Sequence, residues 1–230
     1  DAVHTDVQAV FFCDRAHYAG PNCWRDWFST TPMVWDFYRN AITQPDQLRQ
    51  RVAFALQQIV VVSGLEVSGT YGHRNYQNML LDNAFGNYRQ VLKKVALSPV
   101  MGDFLNNANN DKAAPNENFA RELLQLFSIG TCELNGDGTL RGGNCMPTYS
   151  NEMVRNYAYA LTGWTYPAGG RTTWGCYPQG TNCQYYGGDM VALPARHDGS
   201  ARPLLSGISK SANTNAAEAL ERASQTLRQK

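Results

Sequence analysis

The stretch Pro115–Gly130, PNENFARELLQLFSIG, decides how the rest of the chain is read. A proline at its head, an apolar repeat through its middle and a glycine at its end mark a helix with both boundaries written in. At 3.6 residues per turn, Phe119, Leu123, Leu126 and Phe127 share the face toward a core. Asn118, Arg121, Glu122 and Gln125 fall on the neighbouring face, where pairs three and four apart meet. Glu117 is placed to pair with Arg121, and Asn118 with Glu122. In the plain reading Asn116 caps the helix, Glu117 complements its positive end and Arg121 is a structural clamp. In the functional reading Glu117 or Glu122 is a general acid or base, or a hard-cation ligand, and Arg121 orients an anionic or polar group. Charge packed so densely beside an apolar stripe favours a use, because partly buried carboxylates cost several kcal/mol unless paired or employed.

Working outward, helices dominate from Thr31. TPMVWDFYRNAI has Thr31 as cap, Pro32 at the first helical position and a stripe of Val34, Trp35, Tyr38 and Ile42. QPDQLRQRVAFALQQIVVVSG puts Leu48, Val52, Leu56, Ile59 and Val60 on one face up to Gly64. NYQNMLLDNAFGNYRQVLKKVALSP carries Met79, Leu80, Phe85, Tyr88, Val91, Leu92 and Val95, with a break expected near Gly86 and a stop at Pro99. VMGDFLNNANNDKAAP is a short helix decaying into an asparagine-rich loop. A later helix, SNEMVRNYAYALTG, turns Met153, Val154, Tyr157, Ala160 and Leu161 inward. The last, NAAEALERASQTLRQK, has Asn215 and Glu218 as a capping pair and a thin stripe of Ala216, Leu220, Ala223 and Leu227. Residues 1–28 read as an irregular segment that docks by its aromatics, Phe11, Phe12, Trp24, Trp27 and Phe28. No internal repeat is present.

Lysine and arginine total 20 against 19 acids, so no global field favours nucleic acid or an acidic membrane surface. No apolar run reaches the roughly 20 residues of a membrane-spanning helix. Six cysteines occur as neighbouring pairs, Cys13 with Cys23, Cys132 with Cys145 and Cys176 with Cys183, and three local disulfides are the economical pairing. Disulfides point to an oxidising compartment, hence to a secreted or periplasmic protein. No Cys-x-x-Cys knuckle or finger-spaced histidine supports zinc, and neither a metal nor a cofactor is expected.

Between Cys132 and Cys145, CELNGDGTLRGGNC contains Asn-Gly and Asp-Gly steps and reads as a β-hairpin. It has the outline of a calcium loop through Glu133, Asn135, Asp137 and Gly138, but Asn144 stands where a bidentate glutamate is required. Residues 164–210 form a Gly/Tyr/Trp-rich loop region stapled by Cys176 and Cys183. Its Trp164, Trp174 and Tyr177, with Tyr166, Tyr185 and Tyr186, either stack on sugar rings or lie on the helices as a lid. His197 and Asp198 supply a candidate proton-transfer pair, with Arg202 beside them. No nucleophile elbow, Ser-x-x-Lys pair or phosphate loop occurs.

Several motifs are collinear with a known family. PDQLRQRVAFALQQIVVVS, NAFGNYRQVLKKVALSPVMGDFL, PNENFARELLQLFSIG, LNGDGT, PTYSNEMVRNYAYALTGWTYP and ARHDGSARPLLSG, spanning roughly residues 45 to 210, resemble the bacterial domain-of-unknown-function 1800 family. The resemblance implies a mostly helical, exported bacterial protein, often encoded beside a second exported protein, with no established reaction. Members are usually longer at both ends, so the chain reads as a fragment or shortened member. Members commonly carry lysine where this chain has Arg202, which keeps the charge and changes its geometry.

The sequence therefore predicts a single, mainly α-helical domain over residues 1–230: an irregular or orthogonal bundle with a short β-hairpin and a disulfide-stapled loop region. Its expected site is a polar cleft binding or hydrolysing an extracellular polymer such as a glycan. Glu117, Glu122, His197 and Asp198 would be catalytic; Asn118, Arg121, Arg202, Trp164, Trp174 and Tyr177 would hold the substrate. The alternative is a non-enzymatic surface, matrix or assembly protein that meets another surface protein through its aromatics.

Overall fold

The computed structural model describes residues 29–168 and 184–226, and among them eight α-helices with a few two-residue strands. The chain is mainly helical, as the periodicity predicts. It divides into two compact units: residues 1–104 with 165–191, and residues 105–164 with 192–230. The short strands β1 (Trp164–Thr165) and β2 (Val191–Ala192) each span a boundary between units.

The first unit holds α1 (Thr31–Thr43), α2 (Gln47–Ile59), α3 (Thr70–Asp82), α4 (Tyr88–Leu97) and α5 (Pro99–Phe104). The expected break at Gly86 separates α3 from α4, and the Asn87 side chain caps α4 by accepting from the Arg89 amide at 2.9 Å. Pro99 opens α5, where its missing N–H costs nothing. Leu80, Leu81, Val91, Val95 and Met101 are fully or almost fully buried and form the core of this unit.

Helices α1 and α2 correct the sequence reading. The stripe expected inside α1 faces out, with Trp35 66% and Ile42 76% exposed, while Asp36 and Asn40 are buried. Asp36 is ion-paired to Arg39 at 2.6 Å, which offsets the burial of its charge. On α2 the buried positions are Gln50 and Ala53, and Leu48 is 68% exposed. The periodicity groups the right residues on one face and leaves open which way that face turns.

The second unit holds α6 (Asn118–Gln125), α7 (Asn151–Ala160) and α8 (Ala216–Thr226). α7 lies at its centre, packed against α6, α8 and the strand β3 (Arg202–Pro203). β3 pairs antiparallel with β4 (Ser209–Lys210), setting Arg202 opposite Lys210. Phe119, Leu123, Leu124, Phe127, Val154, Tyr157 and Leu161 are the core, whereas Leu126, expected inside, is 55% exposed. Ser150 caps α7 by accepting from the Met153 amide, and Asn215 caps α8 by accepting from the Glu218 amide. The hairpin forms as predicted: Leu134 bridges Leu140, Gly138 turns at φ +84°, and Cys132 and Cys145 are joined with Cα atoms 5.0 Å apart. The pairings Cys13–Cys23 and Cys176–Cys183, Leu227 and the docking segment 1–28 lie outside the described residues. Among the described residues no helix is long and apolar enough to cross a membrane.

Leu80 and Leu124 are each 0% exposed, one in each unit. Leu80→Ala and Leu124→Ala should each lower the unfolding free energy by about 2–5 kcal/mol, measured by urea titration, whereas Leu126→Ala should cost well under 1 kcal/mol.

Candidate functional site

The helix α7 organises most of the polar residues singled out in the sequence. Asn151, Arg155 and Tyr159 are four residues apart and therefore share one face. At its start, the Arg121 guanidinium donates to Asn151 Oδ1 at 3.3 Å and to Glu117 Oε2 at 3.0 Å. One turn on, Arg155 Nε reaches the other Glu117 oxygen at 3.4 Å. At the far end the Arg202 guanidinium lies over the Tyr159 ring, 3.8 Å from its centroid, a cation–π contact. Arg202 Nε also donates to Asp198 Oδ2 at 2.9 Å. Glu117, Arg121, Asp198 and Arg202 are thus placed along a single helix.

The start of α6 explains the position of Glu117. Asn110 bonds both the amide and the carbonyl of Asn116, and Asn116 Oδ1 accepts from the Asn118 amide at 2.9 Å. Asn118 spends its own side-chain amide on Asn106 at 2.8 Å, so it is a brace within the loop. Glu117 makes no side-chain cap bond and is free to meet the two arginines. Glu122 differs: its Oε2 is buried without a hydrogen-bond partner. Near it the Tyr149 hydroxyl titrates above its usual range through burial, with Arg121 opposing and Glu122 reinforcing the shift.

His197 is only 6% exposed, and both ring nitrogens face main-chain carbonyls, Nδ1 with Thr162 at 2.8 Å and Nε2 with Thr214 at 3.0 Å. Neither nitrogen is open to a substrate. Asp198 accepts from the Ser200 amide as well as Arg202, and Lys210 Nζ stands 3.9 Å from its Oδ2. Burial pushes this carboxyl upward, but the hydrogen bonds from Arg202 and Ser200 and the Arg202 charge outweigh it and hold it below the usual carboxylate range. Lys210 is fully buried and donates to the Ser200 carbonyl at 2.6 Å; burial drives its pKa down against the pull of Asp198.

Of the predicted aromatic contacts, Trp164 is 6% exposed and offers no open face, while Trp174 and Tyr177 lie outside the described residues. Tyr166 and Tyr186 are buried in the first unit, where both hydroxyls donate to Asp103. Tyr186 is fixed further: its amide donates to the Tyr71 hydroxyl at 2.9 Å, and its carbonyl accepts from Asn75 at 2.8 Å. Asp103 was not singled out in the sequence. Burial raises its pKa and the two tyrosine hydroxyls oppose the rise. Arg155, Tyr159 and Lys210 were also missed, although the spacing of Asn151, Arg155 and Tyr159 was legible. Among the described residues no group of three or more His, Cys, Asp or Glu side chains is placed to hold a metal ion.

The chain matches the family described as protein of unknown function (DUF1800) over residues 26–230, and it belongs to that family. No curated protein and no solved structure matches it.

Asp103 and Asp198 should shape the pH dependence of stability in opposite senses. Asp198, depressed in the folded state, contributes stability above its unfolded pKa that is lost as pH falls through the folded value. Asp103, raised in the folded state, binds its proton first on folding, so its contribution is largest at low pH and declines as pH rises through the folded value. Urea titrations between pH 3 and 7 should show a shallower acid-side loss for Asp198→Asn and a smaller decline toward neutral pH for Asp103→Asn than for the wild type.

Proposed function

We propose that this protein binds an extracellular polymer without cleaving it, and that an acidic glycan is the polymer chemistry that best fits the α7 stripe. The observation that carries this reading is the division of each carboxylate between two cations: Glu117 between Arg121 and Arg155, Asp198 between Arg202 and Lys210. Acid–base glycoside hydrolysis needs two carboxyl groups facing a common bond at separations of about 5 to 10 Å. Here Glu117 and Asp198 are engaged by guanidinium and ammonium groups, both nitrogens of His197 are taken, and Glu122 alone lacks a cation partner.

Binding asks for something else. Planar donors with part of their surface in water suit carboxylate or sulfate groups on a sugar chain, and Arg155, Arg121 and Arg202 keep 67%, 39% and 25% of their side chains exposed. Export rests on the cysteine pairing, of which Cys132–Cys145 supports the reading. The family supplies no reaction that would compete with it.

Polygalacturonate and neutral dextran, titrated against the full chain by calorimetry, test the proposal. Polygalacturonate should bind, weaken as salt rises and lose about tenfold affinity in Arg121→Ala/Arg155→Ala, with no new reducing ends released. Reducing-end release that disappears in Glu122→Gln would restore the hydrolase reading. Equal binding of dextran, or no binding of either polymer, would leave the assembly protein as the better account.

A further inference from the structure

In the first unit α1, α2, α3 and the segment between α2 and α3 enclose an open cleft of ≈390 Å³, within the size range of small-molecule sites. Its apolar walls include Met33, Phe37, Phe54 and Val62, and the two phenylalanine rings stand 5.1 Å apart, tilted by 39°. Two polar side chains from successive turns of α3, His73 and Gln77, also line it. Gln77 is 5% exposed, and its Oε1 has no hydrogen-bond partner. His73 is 6% exposed and meets the Val67 carbonyl through Nε2 at 2.7 Å. A carbonyl only accepts, so Nε2 carries the proton and Nδ1 of the neutral ring is left as an acceptor. Burial lowers the pKa of this imidazole, against the effect of the Val67 bond, which keeps the ring neutral near pH 7.

We propose that this cleft is a binding site for a small aromatic molecule bearing a single N–H or O–H donor, of the indole or phenol class. The rings of Phe37 and Phe54 supply stacking and edge contacts for a flat apolar body. A buried amide oxygen left unpaired costs roughly 1–3 kcal/mol, and a ligand donor that reaches it recovers that loss. A charged or strongly polar ligand fits poorly, since among the described residues no Lys, Arg, Asp or Glu lines the cleft. A purely apolar ligand would leave the Gln77 oxygen as it is. The cleft lies in a different unit from the α7 stripe, so this site and the polymer reading stand or fall separately.

The test is titration of the full chain by ligand-observed NMR with indole and with indene, which has nearly the same shape and no N–H. The wild type should bind indole about tenfold tighter than indene. Gln77→Leu, which exchanges the unpaired amide for an apolar group, should bring the two affinities together while Val62→Trp, filling the cleft, removes both. Equal affinity for indole and indene in the wild type, or binding of neither, overturns the proposal, and that comparison needs no variant to fold. Trp27 lies three positions before Thr30, which lines the cleft. If indole binds only to Trp27→Ala, the cleft is occupied by the chain's own indole, and the proposal of a free ligand is overturned.

Discussion

The ring of His197, each of whose nitrogens lies within hydrogen-bond distance of a main-chain carbonyl, is the constraint on which the second unit depends. One carbonyl, Thr162, follows the end of α7; the other, Thr214, precedes α8. The ring therefore fixes the distance between two helices without belonging to either. Gly163 makes room for it: at φ +84°, a Cβ there would stand 2.7 Å from the His197 Cβ. The neighbouring Asp198 amide donates to Thr162 Oγ1 at 3.0 Å, so two successive residues of one strand-like segment are pinned to the same turn. Once that segment is fixed, Asp198 is set where it accepts from Arg202, and Arg202 is set over Tyr159. The far end of the charged stripe is a consequence of a histidine whose hydrogen-bonding capacity is used up in structure.

Asp198 and Asp103 show how differently the fold treats one side chain. Asp198 sits among cations, which favour its charged form and offset its desolvation. Asp103 is held by neutral hydroxyls from Tyr166 and Tyr186, donors that satisfy its oxygens and bring no opposing charge. Residues 166 and 186 are twenty positions apart in sequence, and both side chains reach one carboxylate. That convergence brings the two tyrosines together at α5 by polar contacts.

Much of the helical order was legible in the sequence, because caps and breakers act locally. Ser150, Asn87 and Asn215 each satisfy an amide two or three residues away, and Gly86 falls between α3 and α4. The hairpin was legible for the same reason, since Asn135, Asp137 and Gly138 set its turn among themselves. What was not legible depends on partners distant in sequence. The stripe of Trp35, Tyr38 and Ile42 was recognised as one face, yet the orientation of a face is decided by what packs on its opposite side. For Asp103 the deciding partners are 63 and 83 residues away. His197 and Asp198 were singled out as a candidate proton-transfer pair, but adjacency gave no sign that both ring nitrogens would face carbonyls.

Composition says little about local electrostatics for a related reason. A net charge of +1 argues against a global field, but a binding surface responds to charges within about a Debye length, near 8–10 Å in physiological salt. Along α7, Arg121, Arg155, Arg202 and Lys210 stand with Glu117, Asp198, Glu122 and Glu152, the acid in the first turn of α7, four cations to four carboxylates. Equal numbers do not make an even surface, because the groups are unequally exposed. Lys210 is fully buried and the Asp198 side chain 8% exposed, whereas Arg155 is 67% exposed. Field lines from buried charges are largely answered inside the protein; those from Arg155, Arg121 and the exposed Glu152 reach solvent. The part of the stripe that faces water is therefore set by its exposed members, and the net charge of the chain does not describe it.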